Sequence, residues 1–155
     1  MMNVQMSQTT RNVTDTGGTS RSLAVNTANF TLVTQAILGS SVAGTVVGTS
    51  SQAIAIGDTK LVAQANEGTG SGQMHHLAQE STAPATSGTT RSMTTTRSIL
   101  NDSGSAIVLA ECGIYVTGGA ASVWDFCVAR DLISPTISVP NLGAITVRYT
   151  LGITV

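Results

Sequence analysis

The most regular alternation of hydrophobic and polar positions lies at the end of the chain. From residue 145 to residue 155 every second side chain is apolar, and the side chains between them are polar or small. The apolar set is Ile145, Val147, Tyr149, Leu151, Ile153 and Val155, and the other set is Thr146, Arg148, Thr150, Gly152 and Thr154. This strict period of two predicts a half-buried β-strand with one face in water.

The remainder of the second half predicts further strands separated by turns. The predicted strands are 90–100, 106–116, 122–130 and 136–139, and the segments between them are 101–104, 131–135 and 140–143. Alternation along 106–116 predicts two faces. One face carries Val108, Ala110, Cys112, Ile114 and Val116, and the other carries Ile107, Leu109, Glu111, Gly113 and Tyr115.

The first half has shorter patterns. The predicted strands there are 30–38, 43–48, 52–56 and 73–79, and the polar segment 80–89 is predicted to be a loop. Residues 58–66 are predicted to form a short helix: Asp58 can cap the first turn, and Gly68 lies just beyond the end. Leu61, Val62 and Ala65 would share one face of that helix.

These elements predict an all-β protein, an antiparallel β-sandwich of jelly-roll type with one short helix. Residues 30–155 form the predicted sandwich domain. Residues 1–29 are polar and aperiodic, and we expect them to form an extended N-terminal arm that a partner or a neighbouring subunit orders.

Composition narrows the possible partners. The 155 residues include 7 Lys and Arg against 8 Asp and Glu, the net charge is −1, and only 10% of residues are charged. Without a basic excess we expect no direct nucleic-acid partner and no anionic membrane surface. Thr and Ser, 24 and 17 in number, supply over a quarter of the chain, so hydroxyls take the place of charges on the surface. A protein held in a large assembly tolerates such a surface better than a freely diffusing one.

We expect no membrane span and no secretory signal. Residues 22–57 carry no charge, but polar residues interrupt every apolar run well short of the length that crosses a bilayer. The first residues lack the basic and apolar regions of a secretory signal. Cys112 and Cys127 do not define a disulfide framework; they either bridge neighbouring strands or remain two small thiols, and we expect the second.

The residue types that usually carry chemistry do not form a recognisable set. His75 and His76 are adjacent, so on a strand their side chains point to opposite sides, and we expect structural or surface histidines rather than metal ligands. The glycines of residues 68–72 follow the predicted helix and precede a strand, which is the reverse of a nucleotide-binding order, so they predict a plain turn.

The carboxylates and aromatics lead to the same expectation. Sequence places no two carboxylates together among Asp58, Glu67, Glu80, Asp102, Glu111, Asp125 and Asp131, and there is no GxSxG nucleophile motif. A sugar platform would need Trp124 or Tyr115 exposed in a shallow groove, whereas Trp124 is expected in core or interface packing. We therefore predict no catalytic, cofactor-binding or metal-binding residues and no enzymatic activity.

Glu111 is the polar residue most in need of a partner. If its strand is buried on both faces, the carboxylate must be paired, and Arg97 or Arg130 on neighbouring strands could pair with it. Alternatively, Glu111 lies at a sheet margin in water. Either position gives it a structural or interfacial role.

Several segments together resemble a known group of proteins. They are Thr96–Gly104, with its Thr-Arg strand and Asn-x-Ser-Gly turn; Ile107–Tyr115, with Glu-x-Gly-Ile-Tyr; Val128–Pro140, with Arg-Asp and Val-Pro; and Ile145–Leu151. The runs 56–61 and 67–74 add to the likeness. Over roughly residues 45–155 the chain resembles small virion structural proteins of tailed bacteriophages.

This resemblance implies a role in a virion assembled in the host cytoplasm. The leading expectation is a head decoration or cement protein that binds the major capsid protein, stabilises the shell and forms a homotrimer. A tail, neck or fibre component is the alternative, and a carbohydrate-binding module on a host-facing surface is a further one.

Overall fold

The structure, a computed structural model, describes residues 10–24, 36–118 and 124–154. In these ranges every regular element is a β-strand and every pairing of strands is antiparallel, so the all-β prediction is confirmed at that level. The strands are β1 (Thr10–Thr14), β2 (Ser20–Ala24), β3 (Gly44–Gly48), β4 (His75–His76), β5 (Glu80–Ser81), β6 (Ala85–Ser87), β7 (Thr90–Leu100), β8 (Ile107–Gly118), β9 (Trp124–Val139) and β10 (Ala144–Thr154).

The strands form three sheets. One has the order β3-β8-β9, and β1 and β2 form a separate hairpin. In the third, β7 pairs with β10 on one side and with the short strands β4, β5 and β6, one after another, on the other side.

Apolar side chains from the two larger sheets share a core. One cluster contains Val47, Ala65, Met74, Ile99, Ile107, Leu109 and Val139, with Ile145 and Val147 of β10 packed against it. A second contains Ile114, Val116 and Phe126, with Trp124, Tyr149 and Leu151 packed against it. The half-buried Ile145, Val147, Tyr149 and Leu151 and the exposed Thr146, Thr150 and Thr154 confirm the predicted two-faced strand over 145–151, whereas Ile153 of the predicted apolar face is exposed and Val155 lies outside the described part.

Two chain connections cross together from one sheet to the other. β8 pairs with β9 in one sheet and β7 pairs with β10 in the other, so the links β7–β8 and β9–β10 run side by side. Asn101 joins them: its N–H donates to Gly143 O at 2.8 Å, and its carbonyl accepts from Leu142 N–H at 2.7 Å. The four strands and their two links thus form one long folded ribbon, β7–β8 paired with β9–β10. The jelly-roll form of the predicted sandwich is not confirmed.

The predicted helix over 58–66 is wrong. These residues belong to a cover loop (residues 49–66), in which the amides of Leu61, Val62, Ala63 and Ala65 bond to β3 and β8 instead of forming a helical series. Leu61 N–H donates to Tyr115 Oη at 2.7 Å, and Ala65 N–H donates to Val47 O at 2.9 Å. Asp58 bonds backwards to Ala55 N–H at 2.8 Å instead of capping a first turn.

The other predicted strands of the first half have mixed outcomes. The strand over 43–48 is confirmed as β3, and 73–79 contains only β4. Residues 52–56 lie in the cover loop, so that strand is wrong; of 30–38, residues 30–35 lie outside the described part and 36–38 are not in a strand. The predicted loop 80–89 contains β5 and β6, because their backbones complete the second edge of β7.

In the second half, β7 matches its prediction and β8 extends past it to Gly118. The predicted strands 122–130 and 136–139 and the segment between them form one strand, β9, of 16 residues. Residues 122, 123 and 155 of the predicted strands lie outside the described part.

The predicted faces of β8 are wrong for its first residues. Ile107 and Leu109 pack in the same core cluster as Cys112, instead of sharing a face with Glu111. The β8–β9 register shifts between Leu109 and Glu111, and again between Ile114 and Tyr115. The first shift leaves Ala110 unpaired on β8 and reverses the alternation of that strand, which a strict period of two cannot anticipate; the second leaves Val128 unpaired on β9.

The predicted arm contains the β1–β2 hairpin. Asp15 closes its turn by accepting Thr19 N–H at 2.8 Å and Arg21 Nε at 2.7 Å. The hairpin contacts β9, since Thr16 N–H donates to Asp125 O at 2.9 Å and the Arg21 guanidinium lies 5.2 Å from the centre of the Trp124 ring. Residues 10–24 are therefore folded, while residues 1–9 and 25–29 of the predicted arm, and the predicted boundary at 29/30, lie outside the described part.

Candidate functional site

A buried ion network joins β8 and β9 to the cover loop. Glu111 has no exposed surface, and its Oε2 accepts a hydrogen bond from Arg130 Nε at 2.8 Å. Arg130 also contacts Asp58 Oδ2 through Nη1 at 2.6 Å and donates to Gln52 O through Nη2 at 2.8 Å. Of the alternatives left open by the sequence, the structure therefore has Glu111 buried and paired, with Arg130 as the partner.

The Glu111 carboxylate also holds the backbone of the cover loop. Its Oε1 accepts Ala63 N–H at 2.8 Å, and its Oε2 accepts Val62 N–H at 3.2 Å. Next to it, Tyr115 accepts Leu61 N–H, and burial raises the pKa of Tyr115 to about 12. Three consecutive loop amides thus end on side chains of β8, which fixes the loop over the face of β8 opposite the shared core.

Arg97 is fully buried and does not pair with Glu111. Its guanidinium donates to five backbone carbonyls at 2.6–3.2 Å. The acceptors are the carbonyl oxygens of Ile37, Ser40, Ala43, Thr45 and Leu77. Burial lowers the pKa of Arg97 to about 10, so it remains charged at neutral pH and ties the chain around residues 37–45 to β7.

A single carboxylate lies between the two adjacent histidines. Glu67 Oε1 is 2.5 Å from His75 Nδ1, while Glu67 Oε2 accepts His76 N–H at 2.7 Å and lies 3.1 Å from His76 Nδ1. Burial acts to raise the pKa of Glu67, but the hydrogen bonds from the two histidines outweigh it and lower the pKa. The rings flank one acid, which the prediction of opposite-facing side chains did not anticipate.

His76 is the buried member of this group. Its side chain has no exposed surface, and within the described residues its Nε2 has no hydrogen-bond partner. Burial, and then the charge of Arg97, lower the pKa of His76, against the opposing effect of Glu67. His76 is therefore neutral at neutral pH.

Neither a metal centre nor a membrane helix is found in the part of the chain that the structure covers. In residues 10–24, 36–118 and 124–154, no group of three or more His, Cys, Asp and Glu side chains is placed to hold a metal ion. The same ranges contain no helix long and apolar enough to cross a bilayer.

The glycines of 68–72 form a turn, as predicted. Gln73 Oε1 accepts Gly70 N–H at 2.9 Å, and Gly68 has a φ of 143° that side-chain-bearing residues rarely adopt. A Cβ added to Gly68 would lie 2.3 Å from the Gln73 side chain. The loop is thus filled by its own glutamine.

The cysteines and aromatics make packing contacts. Cys112 and Cys127 are free thiols and do not form a bridge, which was the alternative that we expected. Burial raises the pKa of each thiol. Cys112 Sγ lies 3.0 Å from Tyr149 Oη. Trp124 is half-buried under the Arg21 guanidinium, and Tyr115 is buried.

Four exposed, branched apolar side chains surround a shallow groove between the hairpin, the cover loop and β9. They are Val13, Ile54, Ile56 and Val128, and we call them the Ile56 patch. Ile56 is fully exposed, and the others are 40–52% exposed. The register shift after Ile114 leaves Val128 without a partner residue on β8, which accounts for its outward position. The patch offers apolar side chains that a partner could bury, next to Asp58 and Arg130 in the lining of the groove.

An open cleft of about 540 Å³ lies beside the other bulge of β8. Its polar lining consists of the hydroxyl residues Thr49, Ser51, Ser71, Ser105 and Thr136, and its apolar lining includes Ile107, Val108 and Ala110. A cleft lined by hydroxyls and without charged side chains suits a neutral polar ligand better than an ionic one.

Sequence reasoning missed three of these residues. Asp58 was assigned to a helix cap although it pairs with Arg130, and Glu67 was not linked to the histidines although it lies eight residues before His75. Ile56 lies on a loop and not on the predicted strand; the Gly57-Asp58 pair that follows it is a turn signal that could have placed it there. Comparison with protein-family models, with curated proteins and with solved structures gives no match.

Proposed function

We propose that this chain is a virion structural protein of the tailed-bacteriophage type, a decoration or cement protein that binds the major capsid protein. The observation that carries the proposal is the Ile56 patch, a group of exposed apolar side chains next to the hairpin of the N-terminal segment. Burial of such side chains against a larger protein stabilises an assembly without charge complementarity. The crossing ribbon supports the jelly-roll form of the sandwich as part of this proposal.

In the proposed assembly the chain forms a homotrimer on the shell, and the arm reaches a neighbour. Ordering the arm costs on the order of 1–2 kcal/mol per residue in conformational entropy, and only extensive contact with the neighbour can offset that cost. Deleting residues 1–29 should therefore leave a folded domain that no longer joins the shell. That deletion also removes the hairpin, so deletion of residues 1–9 alone is the milder matched variant.

Binding to shells tests the proposal. Capsids assembled without this chain are incubated with it and pelleted, and the bound fraction is measured for I56D and for the control I37D. Both positions are highly exposed, so neither change should unfold the protein, but Ile37 lies outside the patch. I56D should lose binding and I37D should keep it. Full occupancy by I56D, or by the 1–29 deletion, would contradict the proposal.

A tail, neck or fibre component is the alternative within the same class. It too needs a surface that binds another virion protein, so only its position on the particle distinguishes the two roles. Antibody labelling of particles, viewed by electron microscopy, should mark heads for the decoration protein and tails or necks for the alternative. Labelling of neither would contradict both.

A carbohydrate-binding module is a second candidate, favoured by the hydroxyl-lined cleft. The burial of Tyr115 and the cover of Arg21 over Trp124 leave that cleft without an aromatic platform. Amide chemical-shift changes at Ser71, Ser105 and Thr136 on titration with neutral oligosaccharides would support it, and a glycan array without binding would dispose of it.

A further inference from the structure

The two long edge strands of the larger sheets differ in how they are protected. β9 carries an exposed Asp131, an exposed Pro135 and two register shifts, and its Asp125 carbonyl accepts a hydrogen bond from the hairpin. Charge, proline and bulges are the usual devices that keep an edge strand from pairing with another chain. β9 therefore has several of them.

β10 has almost none. Its 11 residues pair with β7 in unbroken register from Ala144 to Thr154, and it contains no proline. Arg148 is its only charged residue. Among the strands of the described ranges, β7 is the sole neighbour of β10, so the backbone of its other edge has no strand beside it. Such a long regular edge is a template for a further strand.

We propose that β10 pairs with β10 of a second copy of this chain, antiparallel, about a two-fold axis at Tyr149. Tyr149 is the midpoint of the strand, so only this axis pairs all 11 residues of both copies. Because the side-chain period is two, this register joins the half-buried face to the half-buried face and the hydroxyl face to the hydroxyl face.

The residues that meet in this register are compatible. Apolar side chains lie opposite apolar ones: Ile145 opposite Ile153, and Val147 opposite Leu151. Arg148 lies opposite the neutral Thr150. An axis at Arg148, or parallel in-register pairing, would place two arginines side by side, which is unfavourable. The strand is thus complementary to itself in one register, which argues for a second copy as the occupant.

The outer face of the resulting sheet would be continuous. On the hydroxyl face of β7 and β10, three cross-strand pairs are in contact: Thr90 with Thr154 at 2.9 Å, Thr94 with Thr150 at 3.1 Å, and Ser98 with Thr146 at 2.9 Å. The proposed pairing extends this face across the axis. The contact is isologous, so it is distinct from the three-fold contact of the proposed homotrimer.

Charge changes at two matched positions test the register. Thr150 and Thr146 are both exposed, both lie two residues from Arg148, and both contact a hydroxyl of β7. Within one chain, a new charge therefore meets Arg148 in the same way at either site. Only at position 150 does it also face Arg148 of the second copy.

The dissociation constant of the two-fold contact is measured by sedimentation velocity for T150E, T150R, T146E and T146R. T150E should associate more tightly than T150R by roughly tenfold, since cross-strand charge pairs occur twice per contact. T146E and T146R should differ by less than about threefold. Hydrogen exchange of the β10 amides should slow as protein concentration rises, with β8 amides as the internal reference.

Equal differences at positions 146 and 150, or β10 exchange independent of concentration, would overturn the inference. It does not rest on the proposed virion function. If the protein fails to bind capsids but shows the position-150 effect, the proposed function is overturned and this contact stands. If it binds capsids but lacks the position-150 effect, this contact is overturned and the proposed function stands.

Discussion

Glu111 and Arg130 are diagonal partners across β8 and β9: Glu111 is in register with Leu132, and Arg130 is in register with Gly113. Their side chains nevertheless meet at 2.8 Å on the face covered by the cover loop. Diagonal cross-strand pairs of long side chains can reach one another in this way. The pair therefore joins two strands and a loop at one point.

Removing the charge of Glu111 should destabilise the protein. In E111Q, Arg130 keeps only Asp58 as a carboxylate partner and the amides of the cover loop lose their charged acceptor, so we expect a loss of about 3 kcal/mol in the free energy of unfolding. Urea unfolding followed by circular dichroism measures it. E80Q, at an exposed carboxylate of β5, is the control and should stay within about 0.5 kcal/mol of the unmodified protein. Equal midpoints for both variants would refute the role of the pair.

Arg97 should not tolerate lysine. A lysine has three N–H donors where the guanidinium has five, so R97K leaves buried carbonyls without donors, and we expect a loss of about 2–4 kcal/mol. R91K on the exposed side of the same strand is the matched control. Urea midpoints compare the two, and R97K as stable as R91K would show that the five contacts contribute little.

Gly48 should not tolerate alanine. A Cβ there would lie 2.6 Å from Ala63 O and 2.6 Å from Glu111 Oε1, so the cover loop or the carboxylate must shift. We expect a loss of about 1–3 kcal/mol. At Gly57 the added Cβ meets nothing within 4 Å, and G57A should leave the thermal midpoint nearly unchanged. A G48A midpoint equal to that of G57A would contradict the close approach.

Stability should fall as pH drops below about 6.5. The folded protein lowers the pKa of His76 from its usual 6.5, so below that pH the unfolded chain binds more protons at this site than the folded one. The contribution is fully present above pH 6.5 and is lost as pH falls through the folded pKa. The lowered pKa of Glu67 acts in the same direction at lower pH, below its usual 4.5.

Urea unfolding between pH 7.5 and pH 5 measures this slope. H76Q should flatten it, whereas H75Q keeps the His76 contribution and should retain that part of the slope. Arg97 and Glu67 face His76 in both variants, so they do not account for a difference between them. An unchanged slope in H76Q would contradict the assignment.

The sequence predicted the strands whose limits depend on nearby residues, and it missed the loop whose contacts are distant in the chain. β10 alternates without interruption and β7 ends at the turn signal of residues 101–104, and both predictions match the structure almost to the residue. The cover loop was not, because the amides of Leu61, Val62 and Ala63 are satisfied by side chains about 50 residues later in the chain. The pairing of Glu111 could be narrowed to two arginines from the sequence, but only the register of β8 and β9 distinguishes Arg130 from Arg97.

The side-by-side crossing of the β7–β8 and β9–β10 links sets an order of assembly. Gly118 and Trp124 at the near end of the β8–β9 pair are six positions apart, whereas Thr90 and Thr154 at the far end of the β7–β10 pair are 64 positions apart. Closing long loops costs more chain entropy, so we expect pairing to begin at β8–β9, to proceed outward along the ribbon and to place the far end of β10 last. The edge that we propose for contact between copies is therefore completed only after the rest of the ribbon has paired, which limits premature association of unfinished chains.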